Sequence, residues 1–220
     1  MSTYHTSVLL QETIDFLYIR PGKKYIDATL GGGGHTREIL EKGGFVLGID
    51  ADQDALDWVE KDLRDTSYEV GKNITLVRGN FKDIDTLARE NGFEKVAGIL
   101  FDLGVSSHQF DIPERGFSLQ KEGPLDMRMD SELKVTASDL INVLTKGELI
   151  ELFTKLGEER FARSIADSIV RARQVKLITS TIELAQLIHT SVPRLKTPIH
   201  PATRVFQALR IAVNDELNSL

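Results

Sequence analysis

Four consecutive glycines stand between a predicted strand and a predicted helix, in the segment Asp27-Ala-Thr-Leu-Gly31-Gly-Gly-Gly34-His35. Glycine has no Cβ, so a ligand can approach the main chain closely at such a loop, beside the N–H groups that open the helix. A glycine-rich turn without a ligand is the alternative. Because the loop follows what we interpret as the first parallel strand, the pattern favours a ligand-binding loop.

The spacing of the small residues favours a nucleoside over a dinucleotide. A loop of the form G-x-G-x-x-G would place Thr36 or Arg37 at its third small position, and both side chains are too large for the close helix–strand packing of that motif. The lysine of a phosphate-binding loop is missing as well. Asp27 precedes Gly31 by four positions, which fits a nucleoside-binding loop that holds no pyrophosphate.

Three further side chains follow the ends of predicted strands. Asp50 can accept hydrogen bonds from both ribose hydroxyls, although it could instead cap the next helix, a role that Asp52 can also take. Phe81 can border an adenine, and a core phenylalanine is the alternative. Asp102 ends the fourth strand beside the predicted switch point of the sheet, and a turn or cap aspartate is the alternative.

The remaining polar candidates are less specific. His108 and Gln109 follow Asp102 on the same loop. By spacing alone, His35 is as readily a helix-start residue as a ligand contact. The other histidines have no metal-binding spacing; they are His5, His189 and His200.

The composition excludes several kinds of site. The chain of 220 residues contains no cysteine, so disulfides, thiolate metal sites and cysteine nucleophiles are ruled out. Asp126 and Asp130 flank Arg128, which indicates internal charge pairing rather than a metal loop. No apolar run reaches the length of a membrane span, and the first residues lack the features of a signal peptide. We therefore expect a soluble cytoplasmic protein without a metal.

The elements that must position these residues alternate between strand and helix in the first half. The predicted strands are apolar runs at 25–30, 45–50, 74–77 and 96–103, separated by helices at 35–40, 52–63 and 83–89. Continuous apolar strands spaced by helices are typical of a parallel sheet covered on both faces. Four strands would leave the fourth as an unprotected edge, so we expect the last strands of the sheet to be missing from this sequence or supplied by something else.

The second half predicts helices only. A long loop at 111–130 precedes them, and loops of this length are usually functional or disordered. A capping box at Ser180–Glu183 opens one helix, and Pro201 suits the first turn of a final helix with an apolar stripe of Val205, Leu209, Val213 and Leu217. We expect that final helix to return to the sheet, so that residues 111–199 form an inserted helical domain.

Charge is unevenly distributed along the chain. The net charge is −6, yet residues 160–210 carry nine Lys or Arg against two Asp or Glu. Arg160, Arg163, Asp167 and Arg171 share one face of a predicted helix. The segregation indicates either two surfaces with different partners or chance on solvated helices, and the sequence leaves both open.

Taken together, these segments closely resemble one family over the whole chain, the bacterial S-adenosylmethionine-dependent methyltransferases that modify cytosine N4 of small-subunit ribosomal RNA. The segments that carry the resemblance are HTSVLLQET at 5–13, YIDATLGGGGHT at 25–36, GILFDLGVSS at 98–107, RGFSLQKEGPLDMRMD at 115–130, GEERFARSIA at 157–166 and HPATRVFQALRIAVNDEL at 200–217. The family typically continues with a Gly-Gly-Arg turn and a Ser-Phe-His-Ser-Leu-Glu-Asp segment, which this sequence lacks, so we expect a C-terminal truncation.

The resemblance implies a fold, a cofactor and a substrate. The fold is an α/β class I (Rossmann-like) methyltransferase domain, here residues 1–110 and 200–220, interrupted by an RNA-recognition insertion at 111–199. The substrate is a decoding-region cytidine of 16S ribosomal RNA in the small ribosomal subunit, and a homodimer is left open. The implied contacts to S-adenosylmethionine are Gly33, Gly34, His35, Asp50, Phe81, Asp102 and Gln109.

Asp102 is the candidate catalytic residue, as acceptor of a hydrogen bond from the exocyclic amine, either directly or by positioning its loop. Methylation of cytosine C5 ordinarily needs a thiolate that adds to the ring, which this chain cannot supply. Many amino-methyltransferases carry an Asp/Asn-Pro-Pro-aromatic motif at this place, and Asp102-Leu-Gly-Val departs from it. The alternatives are a 2′-O or small-molecule methyltransferase, an inactive cofactor- or RNA-binding fragment, and, third, a dehydrogenase.

Overall fold

The computed structural model describes residues 7–64, 66–193 and 199–218. His5, Arg194 and Lys196, which belong to the sequence-based expectations above, lie outside these ranges. The strands of the described part are β1 (Lys24–Asp27), β2 (Phe45–Asp50), β3 (Ile74–Arg78) and β4 (Gly98–Leu100). The helices there are α1 (Leu10–Leu17), α2 (Gly34–Glu41), α3 (Gln53–Leu63), α4 (Ile84–Glu90), α5 (Ser107–Asp111), α6 (Ala137–Val143), α7 (Lys146–Lys155), α8 (Ala162–Arg173), α9 (Thr181–Ser191) and α10 (Thr203–Asn214).

The four strands form one parallel sheet in the order β3-β2-β1-β4, which confirms the predicted α/β class. β1 pairs with both β2 and β4, so that Asp27 stands opposite Gly48 on one side and Leu100 on the other. The connections reverse direction at β1, and ligands bind open parallel sheets at the carboxyl edge beside such a reversal. The described strands therefore place a switch point between β1 and β4.

Helices cover both faces of this sheet, as the continuous apolar strands predicted. On one face Tyr25 and Val46 pack with side chains of α1, α2 and α3. On the other face Ile26 and Leu47 pack with Ala88 of α4 and with Phe93. Successive strand residues point to opposite faces, so β1, β2 and β3 each contribute side chains to both clusters.

The chain divides into two compact units after His108. The first contains the sheet, and the second, Gln109–Leu217, contains helices and loops. In the second unit α8 packs against α7 and α9, with Phe153, Ile165 and Ile188 buried at the contacts. Among the described helices of both units, none is long and apolar enough to cross a membrane.

The final helix groups with the helical unit, whereas the sequence assigned it to the domain of the sheet. α10 belongs to the second unit and contacts α7 and α6. Its apolar stripe is buried there at Val205, Leu209 and Val213, whereas Leu217 lies beyond the helix and is 59% exposed. An apolar stripe requires a partner surface but does not specify which one, and the neighbouring helices supply it.

The long loop at 111–130 is held by specific contacts. Leu125 and Met127 are buried, and the Leu125 N–H donates to the Thr179 carbonyl at 2.8 Å. Arg128 binds both carboxylate oxygens of Asp126 at 2.7 Å, which confirms the predicted charge pairing. The Asn214 side chain of α10 donates to the Met127 carbonyl at 2.8 Å. The distinctive Gly-Pro-Leu-Asp-Met-Arg-Met-Asp sequence thus fastens this loop within the helical unit.

Candidate cofactor site

The carboxyl ends of β1, β2 and β4 come together at one edge of the sheet, because parallel strands end on the same side. Two main-chain bonds continue the pairing beyond β1: Ala28 donates to Leu100 and Leu30 donates to Ile49, each at 2.9 Å. The start of the glycine loop is therefore held between the ends of its two neighbouring strands.

Asp50 faces this loop and binds it directly. Its Oδ2 accepts from the Gly31 N–H at 2.8 Å, and its Oδ1 accepts from the Asp52 N–H at 2.9 Å. Asp52 caps α3 by accepting from the Asp54 N–H, so Asp50 is not needed as the cap. A carboxylate offers about four acceptor sites, which leaves room for two hydroxyl donors at Asp50. Burial raises the pKa of Asp50 to about 6, although the bonds from Asp52 and Gly31 lower it.

The glycines of the loop serve different purposes. Gly33 has φ of 76° and caps α2 in the left-handed region, and a Cβ there would lie 2.7 Å from Cγ2 of Val59. A Cβ at Gly34 would overlap the Ser7 hydroxyl. Packing against α3 and the left-handed backbone therefore favour glycine at position 33, whereas at position 34 a Cβ would require the Ser7 side chain to move. A Cβ at Gly31 would meet nothing closer than the Thr29 carbonyl at 3.9 Å, so this part of the loop borders open space.

The buried carboxylate of Asp27 binds residues on both sides of the glycine loop. Asp27 is 1% exposed and accepts from the Thr36 hydroxyl at 2.7 Å and from the Thr29 N–H at 3.3 Å. The Thr29 hydroxyl in turn accepts from the Asp102 N–H at 2.7 Å. The sequence-based interpretation used Asp27 only to select a type of loop and overlooked Thr29. An acid at the end of the first parallel strand, followed two residues later by a hydroxyl, is the signal that could have identified them.

His35 lies next to Asp102 at this edge. Its Nδ1 is 3.9 Å from Oδ2 of Asp102, which is longer than a hydrogen bond. The ring is 5% exposed, and its buried Nε2 has no hydrogen-bond partner among the described residues. Burial lowers the pKa of His35, whereas Asp102 and a backbone hydrogen bond with Val8 raise it. A buried nitrogen without a partner is costly, so it is a natural contact point for a bound polar group.

Phe81 opens a short 3₁₀ turn directly after β3, where the sequence placed it. Its ring packs edge-to-face on Phe101, with the centroids 5.8 Å apart, and joins the buried cluster on the α4 face of the sheet. These contacts agree with the core alternative, and the role as an adenine border stays a prediction. Gln109 is buried in α5 and falls in the helical unit, so its predicted contact also stays a prediction.

The basic residues of the helical unit do not all point to solvent. Arg160, Arg163 and Arg171 are exposed, whereas Asp167, predicted on the same face, pairs with Lys146 at 2.5 Å. Arg173 donates to the Ile141 carbonyl at 2.6 Å. Arg210 forms a two-bond ion pair with Glu216 at 2.8 and 2.9 Å. The candidate RNA-binding surface is therefore narrower than the charge distribution along the sequence indicated.

Comparison with known proteins identifies similar chains. The model of the MraW methylase family matches residues 2–220. A protein of Carboxydothermus hydrogenoformans named ribosomal RNA small subunit methyltransferase H is 48% identical over 222 residues, which cover 100% of this chain and 70% of that protein. Proteins of the same name from Caldicellulosiruptor bescii and Halothermothrix orenii are each 47% identical, covering 98% of this chain and 70% of their own length.

Proposed function

The chain belongs to the MraW methylase family, and from this premise we propose that it transfers a methyl group from S-adenosylmethionine to N4 of a cytidine in 16S ribosomal RNA. The observation that carries the proposal is the match of the whole chain to relatives named for methylation of the small-subunit RNA. A ribosomal substrate also places the proposed reaction in the cytoplasm.

The carboxyl edge of the sheet fits an adenosyl group. Asp50 keeps acceptor capacity for two ribose hydroxyls after binding Gly31 and Asp52. The buried Nε2 of His35 lacks a partner within the described residues, and the open side of the loop at Gly31 admits a ligand. We assign Gly33, Gly34, His35, Asp50, Phe81, Asp102 and Gln109 to cofactor binding on this basis and on the family resemblance.

When bound, S-adenosylmethionine supplies a methyl group made electrophilic by its positively charged sulfur. The chain must hold the N4 amine in line with the carbon–sulfur bond, and such orientation can supply roughly 7–11 kcal/mol of the barrier. As the N–C bond forms and the C–S bond breaks, N4 must lose one proton. The Asp102 carboxylate, 31% exposed just beyond β4, would accept a hydrogen bond from N4, raise the electron density on the nitrogen, and take up the proton that N4 loses as S-adenosylhomocysteine leaves. The absence of cysteine excludes the thiolate route to C5.

The helical unit docks the RNA in this proposal. The exposed cations Arg160, Arg163 and Arg171 contact phosphates, and the target base leaves its stack to reach the methyl group. Phosphate contacts position the RNA without reading its sequence. Base selection therefore depends on the strand ends around Asp102.

Incubation of the protein with labelled S-adenosylmethionine and small ribosomal subunits lacking the modification tests the proposal. We expect label in the 16S RNA and, after nuclease digestion and mass spectrometry, N4-methylcytidine. Methylation on ribose would support the 2′-O alternative instead. Binding of S-adenosylhomocysteine without any turnover would indicate a cofactor-binding module and overturn the proposed reaction.

A further inference from the structure

Thr29 occupies a position that the proposed reaction does not yet explain. We propose that Thr29 is a positioning residue whose hydroxyl holds the main chain of Asp102 against the cofactor loop, so that it governs the rate of methyl transfer rather than cofactor affinity. The inference rests on the proposed function, because it assigns Asp102 to the N4 amine.

The hydroxyl continues a hydrogen-bond ladder that the strands have ended. The β1–β4 register reaches Asp27 opposite Leu100, and the last main-chain bond runs from the Ala28 N–H to the Leu100 carbonyl at 2.9 Å. After Leu100, the next main-chain donor that faces β1 is the Asp102 N–H. It donates to the Thr29 Oγ1 at 2.7 Å. A side chain thus takes the place of a main-chain acceptor one step beyond the sheet.

The segment that carries Asp102 lies outside the regular secondary structure. Residues 101–106 form neither helix nor strand, and Gly104 has φ of 146°. A main-chain hydrogen bond at the start of such a segment fixes where its first side chains can point. Loss of this bond frees the Asp102 carboxylate to move relative to the substrate amine, and small displacements of a reacting group can cost a large part of the rate.

Thr29 is itself anchored to the element that holds the cofactor loop. Its N–H donates to Oδ1 of Asp27 at 3.3 Å, and Oδ2 of the same carboxylate accepts from the Thr36 hydroxyl of α2 at 2.7 Å. Asp27 is almost completely buried, so this anchor is shielded from water. One carboxylate therefore links the first turn of α2, beside His35, to the residue that holds Asp102.

The Thr29→Val and Thr29→Ser variants test the inference. Valine keeps the branched shape and removes the acceptor, whereas serine keeps the acceptor. At saturating cofactor we expect the single-turnover rate of methyl transfer to fall about tenfold in Thr29→Val, the factor that one hydrogen bond of typical strength represents. Thr29→Ser should recover most of the rate. The affinity for S-adenosylhomocysteine should fall less than the rate in Thr29→Val, since Asp102 is one of several assigned cofactor contacts and the loop keeps its Asp50 bond.

The matched control is Thr75→Val, at a half-buried threonine of β3, and it should leave the rate unchanged. A wild-type rate in Thr29→Val, or an equal loss in the serine variant, would overturn the inference. A parallel loss of cofactor affinity would show that Thr29 only supports the loop and would overturn it too. If Thr29→Val unfolds at the assay temperature, Thr29→Ala takes its place with the same expected outcomes.

A second readout separates this inference from the proposed function. The exchange protection of the Asp102 amide hydrogen, measured by NMR, should fall in Thr29→Val and persist in Thr29→Ser, whether or not RNA is methylated. If the wild-type protein fails to methylate small subunits, the proposed function fails. The exchange data still test whether the Thr29 hydroxyl holds the Asp102 main chain. Unchanged protection in Thr29→Val would remove the structural basis of the inference.

Discussion

Asp50 carries most of the expected recognition of ribose. Both of its oxygens already order the site, through the Gly31 and Asp52 amides. Replacement by alanine removes the hydroxyl acceptors and the bond that holds the loop. Hydrogen bonds to charged groups contribute about 1.5–3 kcal/mol each, so we expect Asp50→Ala to weaken S-adenosylhomocysteine binding by roughly 10- to 100-fold in calorimetric titration.

The control for this change is Asp57→Ala, on the exposed side of α3, where the carboxylate accepts only from Gln53 in the bonds that the structure gives. It should bind the cofactor product normally. Equal affinity in Asp50→Ala and wild type would mean that ribose is held elsewhere, and the proposed orientation of the adenosyl group would be wrong.

Asp27 should make the stability of the protein depend on pH. Burial raises its pKa from 3.8 to about 6, outweighing the bonds from Thr36 and Thr29. The folded state therefore holds a proton that the unfolded state has released between about pH 4 and 6, so this group reduces stability as the pH rises through that window. The full shift corresponds to about 3 kcal/mol.

Asp27→Asn removes this titration, so the comparison of the two proteins isolates the effect. The free energy of unfolding of the wild type, minus that of the variant, should decrease by up to about 3 kcal/mol between pH 4 and pH 7. Urea unfolding at several pH values measures the difference. Carboxylates that do not interact with Asp27 cancel because both proteins share them, whereas the pKa of Asp50, which the charge of Asp27 raises, falls in the variant. Two curves that run parallel over the whole range would show that Asp27 does not titrate in this window.

At the level of elements, the exposed arginines just before α8 and along it should determine RNA affinity. Reversal of Arg160, Arg163 and Arg171 to glutamate should weaken RNA binding and reduce its dependence on salt, by roughly 0.7–0.9 in logarithmic slope for each phosphate that the variant no longer neutralises. Filter binding at a series of salt concentrations measures both quantities. Affinity for S-adenosylhomocysteine should not change.

The same change in net charge on the sheet unit provides the control. Lys42, Lys61 and Lys82 are exposed there, and their reversal should affect RNA binding less than reversal of the arginines. Equal affinity of the arginine variant and wild type at low salt would show that the RNA docks on another surface.

Elements of the sheet were predictable because their signals are local. The apolar runs at 25–30 and 45–50 identified β1 and β2, although β1 already ends at Asp27, and parallel strands necessarily bring their carboxyl ends to one edge. Contacts between residues that lie far apart in the sequence were not predictable. The stripe of α10 showed that one face is buried but not which helices bury it. α1 was overlooked because eight residues make only about two helical turns, too few to show a periodic pattern, although four of them are apolar. The Thr29–Asp102 bond spans 73 positions, and no spacing along the chain indicates it.

For the whole molecule, we expect the side of β4 away from β1 to be a surface for association. β4 ends the sheet in the described part of the chain. Ile99, Phe101 and Leu103 are 44%, 42% and 50% exposed. An edge strand offers unpaired main-chain groups, and exposed apolar side chains along it favour pairing with another chain. The edge of the sheet at β4 is therefore the place to test for self-association.

A lysine on this edge should oppose such pairing, because it would place a charge where a second strand must dock. We expect Ile99→Lys to lower the weight-average mass in sedimentation at high protein concentration and to reduce the binding of a hydrophobic dye. Leu177→Lys alters an exposed leucine of the helical unit, 58% exposed, and controls for the added charge and the reduced apolar surface. If both variants reduce association equally, general hydrophobicity drives it. If only Ile99→Lys does, the edge of the sheet is the contact, and a strand added at β4 should restore a monomer.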